Sequence, residues 1–190
     1  ATAQDDWKSR QDGQDIWSLN YKKYRPAQRR GSSSFTQNRQ HILTTIDIVQ
    51  REAALKRIVT EAGDTALRFF HSRKAGEYEL KGHQDILTEA DTFVEAMILR
   101  AIGDAFPDDL ILGEESARQP ASAESLWVVD PIDGTANFAR GIAHFCVCIA
   151  WVHRGVTELG AIYNSSSQEL YLARRGHYAL KNDRPLRCTA

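Results

Sequence analysis

A chain of 190 residues, 42% of them hydrophobic, is long and apolar enough to bury one core. Its 24 basic and 25 acidic side chains leave a formal net charge of -1, which excludes the strongly cationic surface of a general nucleic-acid binder. No apolar run approaches the ~20 residues that span a bilayer, and no apolar secretion-signal core is evident.

The charge is unevenly spread. Residues 1–40 hold eight Lys or Arg and four Asp or Glu, which leaves the remainder acidic. These forty residues are rich in Gln, Asp, Ser and Arg, with scattered aromatics and no sustained period, and read as a disordered or loosely docked basic leader. From about Ile46 to Phe70 the apolar side chains fall at helical spacing, with Ile48, Leu55, Ile58, Ala62 and Ala66 in one stripe. A second helix is expected from Ala90 to Ala105, burying Phe93, Val94, Met97, Ile98, Ala101 and Ile102, and ending at Phe106-Pro107. Short strands follow at Leu110–Leu112 and Leu126–Val129. Longer ones at Phe145–Val152 and Val156–Tyr163 are joined through Arg154-Gly155, and Glu169–Ala173 and His177–Leu180 close the series. Two helices followed by adjacent strands define an α+β fold, with helices on one face of a largely antiparallel sheet.

The most informative stretch is Trp127-Val128-Val129-Asp130-Pro131-Ile132-Asp133-Gly134-Thr135. A buried strand delivers Asp130 to its end, and Pro131 stiffens the turn that follows. Asp133 can then face the same point in space. Two carboxylates held this close repel unless a cation lies between them, and oxygen donors select Mg²⁺, Ca²⁺ or Mn²⁺. Gly134 and Thr135 open a helix whose first N–H groups suit a phosphate. Gly113-Glu114-Glu115-Ser116 adds two carboxylates at the end of the preceding strand.

Together, Gly113-Glu114-Glu115-Ser116 and Asp130-Pro131-Ile132-Asp133-Gly134-Thr135-Ala136-Asn137-Phe138 resemble the inositol monophosphatase family, Mg²⁺-dependent and lithium-sensitive phosphatases related to fructose-1,6-bisphosphatase. The resemblance runs from about Ile46 to Leu186 and takes in Thr88-Glu89-Ala90-Asp91. It implies the N-terminal half of the family's α/β sandwich. Glu114, Asp130 and the Ile132 carbonyl would hold a first Mg²⁺. Asp130 would bridge to a second ion that Asp133 also holds, with Mn²⁺ an acceptable substitute. Glu115 would stand in the outer shell, and Lys81 would approach from the preceding loop. The amides of Gly134 and Thr135 would hold the phosphate, while Asp91 and the Thr135 hydroxyl orient the attacking water. The implied substrate is a small phosphorylated metabolite, inositol phosphate or histidinol phosphate. The implied setting is a cytoplasmic homodimer without nucleic-acid or membrane partners.

The sequence departs from the family in one respect. No Trp-Asp pair follows Thr135, so the carboxylate that completes the second metal site in the family has no counterpart. Little or no turnover is therefore expected from these residues alone, and a non-catalytic metal- or phosphate-binding or dimerising module is the alternative. His144, Cys146 and Cys148 alternate along one expected strand face. They read as core thiols in preference to soft-metal ligands. With Cys188 they make three cysteines without CxxC spacing, consistent with a reducing compartment.

Overall fold

A computed structural model describes residues 45–72, 89–114 and 124–187. The proposed leader over residues 1–40 lies outside them. Two long helices come first, α1 (Thr45–Ser72) and α2 (Glu89–Ala105), followed by strands β1 (Leu110–Gly113) and β2 (Ser125–Asp133). A short helix, α3 (Thr135–Arg140), precedes β3 (Cys146–His153), β4 (Val156–Asn164), β5 (Glu169–Arg174), β6 (Leu180–Lys181) and β7 (Arg184–Pro185). Strand order in the sheet follows chain order; β1 and β2 are parallel, and every later pairing is antiparallel. The expected α+β architecture is the observed one. Among the described residues, no helix is long and apolar enough to cross a membrane.

The helical stripe forms as its spacing requires. Leu55, Ile58, Val59, Ala62 and Ala66 of α1 are buried with Val94, Ile98 and Ile102 of α2. They pack on the face of the sheet formed by Trp127, Val129, Val147, Ile149, Trp151, Leu159 and Ala161. Each large side chain buried there contributes roughly 1.5–3 kcal/mol. Phe93, expected in this core, is instead 53% exposed and lies at the rim against Phe69, with ring centroids 5.3 Å apart. Helix α1 sits so close to β4 that a Cβ on Gly63 would come within 2.3 Å of the Tyr163 ring. The Tyr163 hydroxyl donates to Asp64 at 3.2 Å across the same contact.

The opposite face of the sheet carries a cross-strand row of Asp130, Cys148, Ile162 and Tyr171. Ile162 is 46% exposed there. The β3–β4 hairpin turns through Arg154 and Gly155, both at positive φ, as a two-residue primed turn needs. Asn182 and Asp183 turn β6 into β7 in the same manner. The strand expected at His177–Leu180 is therefore only the two-residue β6, displaced toward the chain's end.

Candidate functional site

Parallel pairing of β1 with β2 matches Leu112 to Val128 and Gly113 to Val129. Glu114, the next residue, leaves β1 alongside Asp130. Strand β2 does not end at Asp130, as its sequence suggested, but continues to Asp133. Its register against β3 slips on the way: Asp130 pairs with Cys148 and Asp133 with Cys146, three steps along β2 against two along β3. The extra residue is a bulge, one of the few places where a strand accepts proline, and Pro131 lies in it. In a regular strand, residues three apart face opposite sides. The bulge brings Asp130 and Asp133 to the same side.

Asp91, in the first turn of α2, is 6% exposed and reaches the same place from the helical layer. The electrostatics of Asp130 register this convergence. Burial first, then the charges of Glu114 and Asp133, a hydrogen bond with Glu114 and the charge of Asp91 push its carboxyl up to about 8. Its Oδ1 is buried with no hydrogen-bond partner among the described residues. Glu114 and Asp133 are themselves exposed, so the cluster opens to solvent. A buried carboxylate oxygen without a donor, ringed by like charges, suits a cation, and the all-oxygen donor set suits a hard one.

The turn after β2 is fixed by glycine. Gly134 has φ 93° and ψ 31°, the left-handed region, and a Cβ there would meet the His144 carbonyl oxygen at 2.9 Å. Its own carbonyl accepts from the backbone N–H groups of Asn137 and Phe138 at 2.8 and 3.0 Å, starting α3. The Thr135 hydroxyl donates to the Ile132 carbonyl at 2.9 Å, which leaves hydroxyl lone pairs available to accept from a water. Phe138 anchors the short helix against Phe70 and Phe145. Gly134→Ala is expected to cost ~1–3 kcal/mol through backbone strain and the carbonyl clash. It should also weaken divalent-ion binding by displacing Asp133. Urea melts and Mn²⁺ titration check this, and an unchanged melt would contradict the geometry.

Of the residues singled out in the sequence, Asp91, Glu114, Asp130 and Asp133 thus converge, with Ile132, Gly134 and Thr135 forming the adjoining turn. Glu115 and Lys81 lie outside the described residues. The thiols correct an expectation. Cys146 and Cys148 are half-buried on the sheet face turned away from the helical core, while Val147, Ile149 and Trp151 fill the core between and beyond them. His144 lies before β3 and is exposed. Glu95, which the sequence reading passed over, is buried one turn along α2 from Asp91. The i, i+4 spacing of the two acids was its available signal. Arg174 and Arg175 pair with Glu52 and Glu158.

Helices on one face of a mixed, mostly antiparallel sheet carry clustered carboxylates beside a glycine-opened turn, an α+β fold with a candidate hard-cation site. The sequence matches the inositol monophosphatase family over residues 47–190, and the chain belongs to that family. A Nus factor SuhB from Pasteurella multocida is 37% identical over 132 residues, which are 69% of this chain and 49% of that protein. The chain spans about half the length of the curated relatives it matches. The crystal structure of the extragenic suppressor protein suhB from Bartonella henselae superposes with a TM-score of 0.67 at 34% identity, covering 73% of this chain and 54% of the other. An IMPase from Thermotoga maritima gives a TM-score of 0.66 at 29% identity, with 73% and 54% covered.

Proposed function

We propose that this chain carries the metal-binding and water-positioning half of a Mg²⁺-dependent phosphomonoesterase. The observation that carries this reading is the buried Oδ1 of Asp130, without a hydrogen-bond partner among the described residues, beside Glu114 and Asp133. Glu114, Asp130 and the Ile132 carbonyl would hold a first Mg²⁺, and Asp130 and Asp133 would share a second. Mn²⁺ is the natural substitute. A hard divalent cation, when bound, offsets the charge of a phosphate ester and acidifies water. The remaining work falls to the chain's own groups. The Gly134 and Thr135 N–H groups hold phosphate oxygens, and α3 begins there with N–H groups that lack helical acceptors. Asp91 and the Thr135 hydroxyl both accept hydrogen bonds from one water, fixing its lone pair toward phosphorus for in-line attack.

Two further relatives support the ligand class. SaIMPase-II was solved with inositol monophosphate bound, at 26% identity and a TM-score of 0.61. An IMPase/NADP phosphatase was solved with NADP and Ca²⁺, at 25% identity and a TM-score of 0.65. The substrate is accordingly a small phosphorylated metabolite such as inositol phosphate or histidinol phosphate, met in the cytoplasm by a homodimer. These 190 residues include no Trp-Asp pair after Thr135, so turnover by them alone is expected to be slight. Phosphate release from both esters, measured with Mg²⁺ for the wild type, Asp130→Asn and Asp91→Asn, tests the assignment. Mg²⁺-dependent release that survives Asp130→Asn would contradict it. Robust wild-type release that disappears in Asp130→Asn would support the chemistry and overturn the expectation of slight turnover.

A second reading is a metal- or phosphate-binding or dimerising module without turnover. It is favoured by the name Nus factor SuhB on the curated relatives, which is not a phosphatase name. Under it, Mn²⁺ still binds, but neither ester is hydrolysed.

A further inference from the structure

The thiols beside the carboxylate cluster form an arrangement of their own. Cys146 and Cys148 project from the same face of β3, and their sulfur atoms lie 3.7 Å apart. The bulge in β2 sets Asp133 opposite Cys146, and the Cys146 sulfur lies 3.6 Å from Asp133 Oδ2. Ligand atoms of Asp133, Cys146 and Cys148 all fall within 4.8 Å of one another. Around a tetrahedral Zn²⁺, with Zn–S of about 2.3 Å and Zn–O of about 2.1 Å, neighbouring ligands are separated by about 3.8 Å for S···S and about 3.6 Å for S···O. The Cys146–Cys148 and Cys146–Asp133 separations match these values.

We propose that Asp133, Cys146 and Cys148 form a three-ligand site for a thiophilic divalent ion of the Zn²⁺ class. Two sulfur donors favour such an ion strongly over Mg²⁺. The exposed carboxylate of Asp133 and the half-buried thiols leave the fourth position open to solvent. A disulfide is a poorer outcome for the same pair. Residues two apart on a strand have Cα atoms about 6.6 Å apart, close to the upper limit of about 6.8 Å for a bridge. Because Asp133 is shared, Zn²⁺ bound here takes that carboxylate from the hard-cation site and inhibits it. This last clause rests on the Mg²⁺ reading above; the thiolate site itself does not.

Co²⁺ replaces Zn²⁺ and reports thiolate ligation through a near-ultraviolet charge-transfer band. Under reducing conditions, the purified protein is expected to develop this band to saturation at one ion per chain. The band should survive Cys188→Ser and vanish in the double variant Cys146→Ser, Cys148→Ser, whose thermal melt checks that it folds. Absence of the band in the wild type, or its survival in the double variant, would overturn the site. In the linked arm, excess Zn²⁺ should lower Mn²⁺ affinity at least tenfold in the wild type and leave it unchanged in the double variant. Undiminished Mn²⁺ affinity in the Zn²⁺-loaded wild type would overturn the sharing of Asp133. A wild type that binds no Mn²⁺ even without Zn²⁺ would sink the hard-cation reading and the competition with it, while the Co²⁺ band still decides the thiolate site.

Discussion

Asp130→Asn is expected to make the metal-free protein more stable at about pH 8 and to remove its stabilisation by divalent ions. The carboxyl titrates near 3.8 when solvated and is pushed up to about 8 in the fold, by burial first and then by Glu114, Asp133 and Asp91. Between those two values the folded chain holds a proton that the unfolded chain has released. Stability therefore falls as pH rises through this window, by an amount on the order of a few kcal/mol. Asparagine carries no charge and escapes the loss. Its advantage over the wild type should thus grow from about pH 5 to about pH 8 when the ions are chelated. With Mn²⁺ at about a hundred times its dissociation constant, the wild type should regain about 2.7 kcal/mol and the variant nothing. Urea melts at both pH values, with chelator and with Mn²⁺, decide the matter. Equal destabilisation by Asp130→Asn at both pH values, or a gain from Mn²⁺ as large as the wild type's, would contradict a buried, metal-binding Asp130 carboxyl.

Asp109→Ala should cost ~3–5 kcal/mol, because it strands a cation in the core. Arg51 of α1 donates to Asp109 through Nε at 3.1 Å and Nη2 at 3.0 Å, and the Asp109 side chain is 5% exposed. Trp127 Nε1 donates to the same carboxylate at 2.9 Å. The Arg51 guanidinium also faces the Phe106 and Trp151 rings, 4.7 Å from each centroid. One carboxylate thus ties α1, the turn after α2 and β2 together. Alanine would leave Arg51 without its counter-ion and Trp127 without an acceptor. Replacing both ends, as Arg51→Met with Asp109→Leu, should cost less than Asp109→Ala, since no buried charge is left unpaired. A loss below about 1 kcal/mol for Asp109→Ala in urea melts would show that the pair is solvated rather than built in.

The sequence announced these features unequally. The helices were legible because Leu55, Ile58, Ala62 and Ala66 repeat at the helical period, and that period has one buried solution. The carboxylate cluster was legible because Glu114, Asp130 and Asp133 belong to two compact motifs. Its geometry was not, because Pro131 reads as the start of a turn when seen alone. In the fold it occupies a bulge, and that bulge is what aligns Asp130 with Asp133. Alternation along Cys146–His153 was visible, yet alternation has no polarity. Val147, Ile149 and Trp151 could claim the core as readily as the thiols, and the helices packed on their side. The Arg51–Asp109 pair joins residues 58 positions apart, a separation that no local pattern encodes. The two-residue strands β6 and β7 are too short to carry a period, and the positive-φ turn at Asn182-Asp183 was their only mark.

Glu114, Asp130 and Asp133 are proposed to bind a hard divalent cation. Calorimetric titration of Mn²⁺ and Mg²⁺ into the wild type and Asp130→Asn tests it most directly. The wild type should bind saturably, with close to one proton released per ion at about pH 7, because the Asp130 carboxyl must ionise to take the metal. Asp130→Asn should show only heats of dilution. Indistinguishable heats from the two proteins would contradict the account.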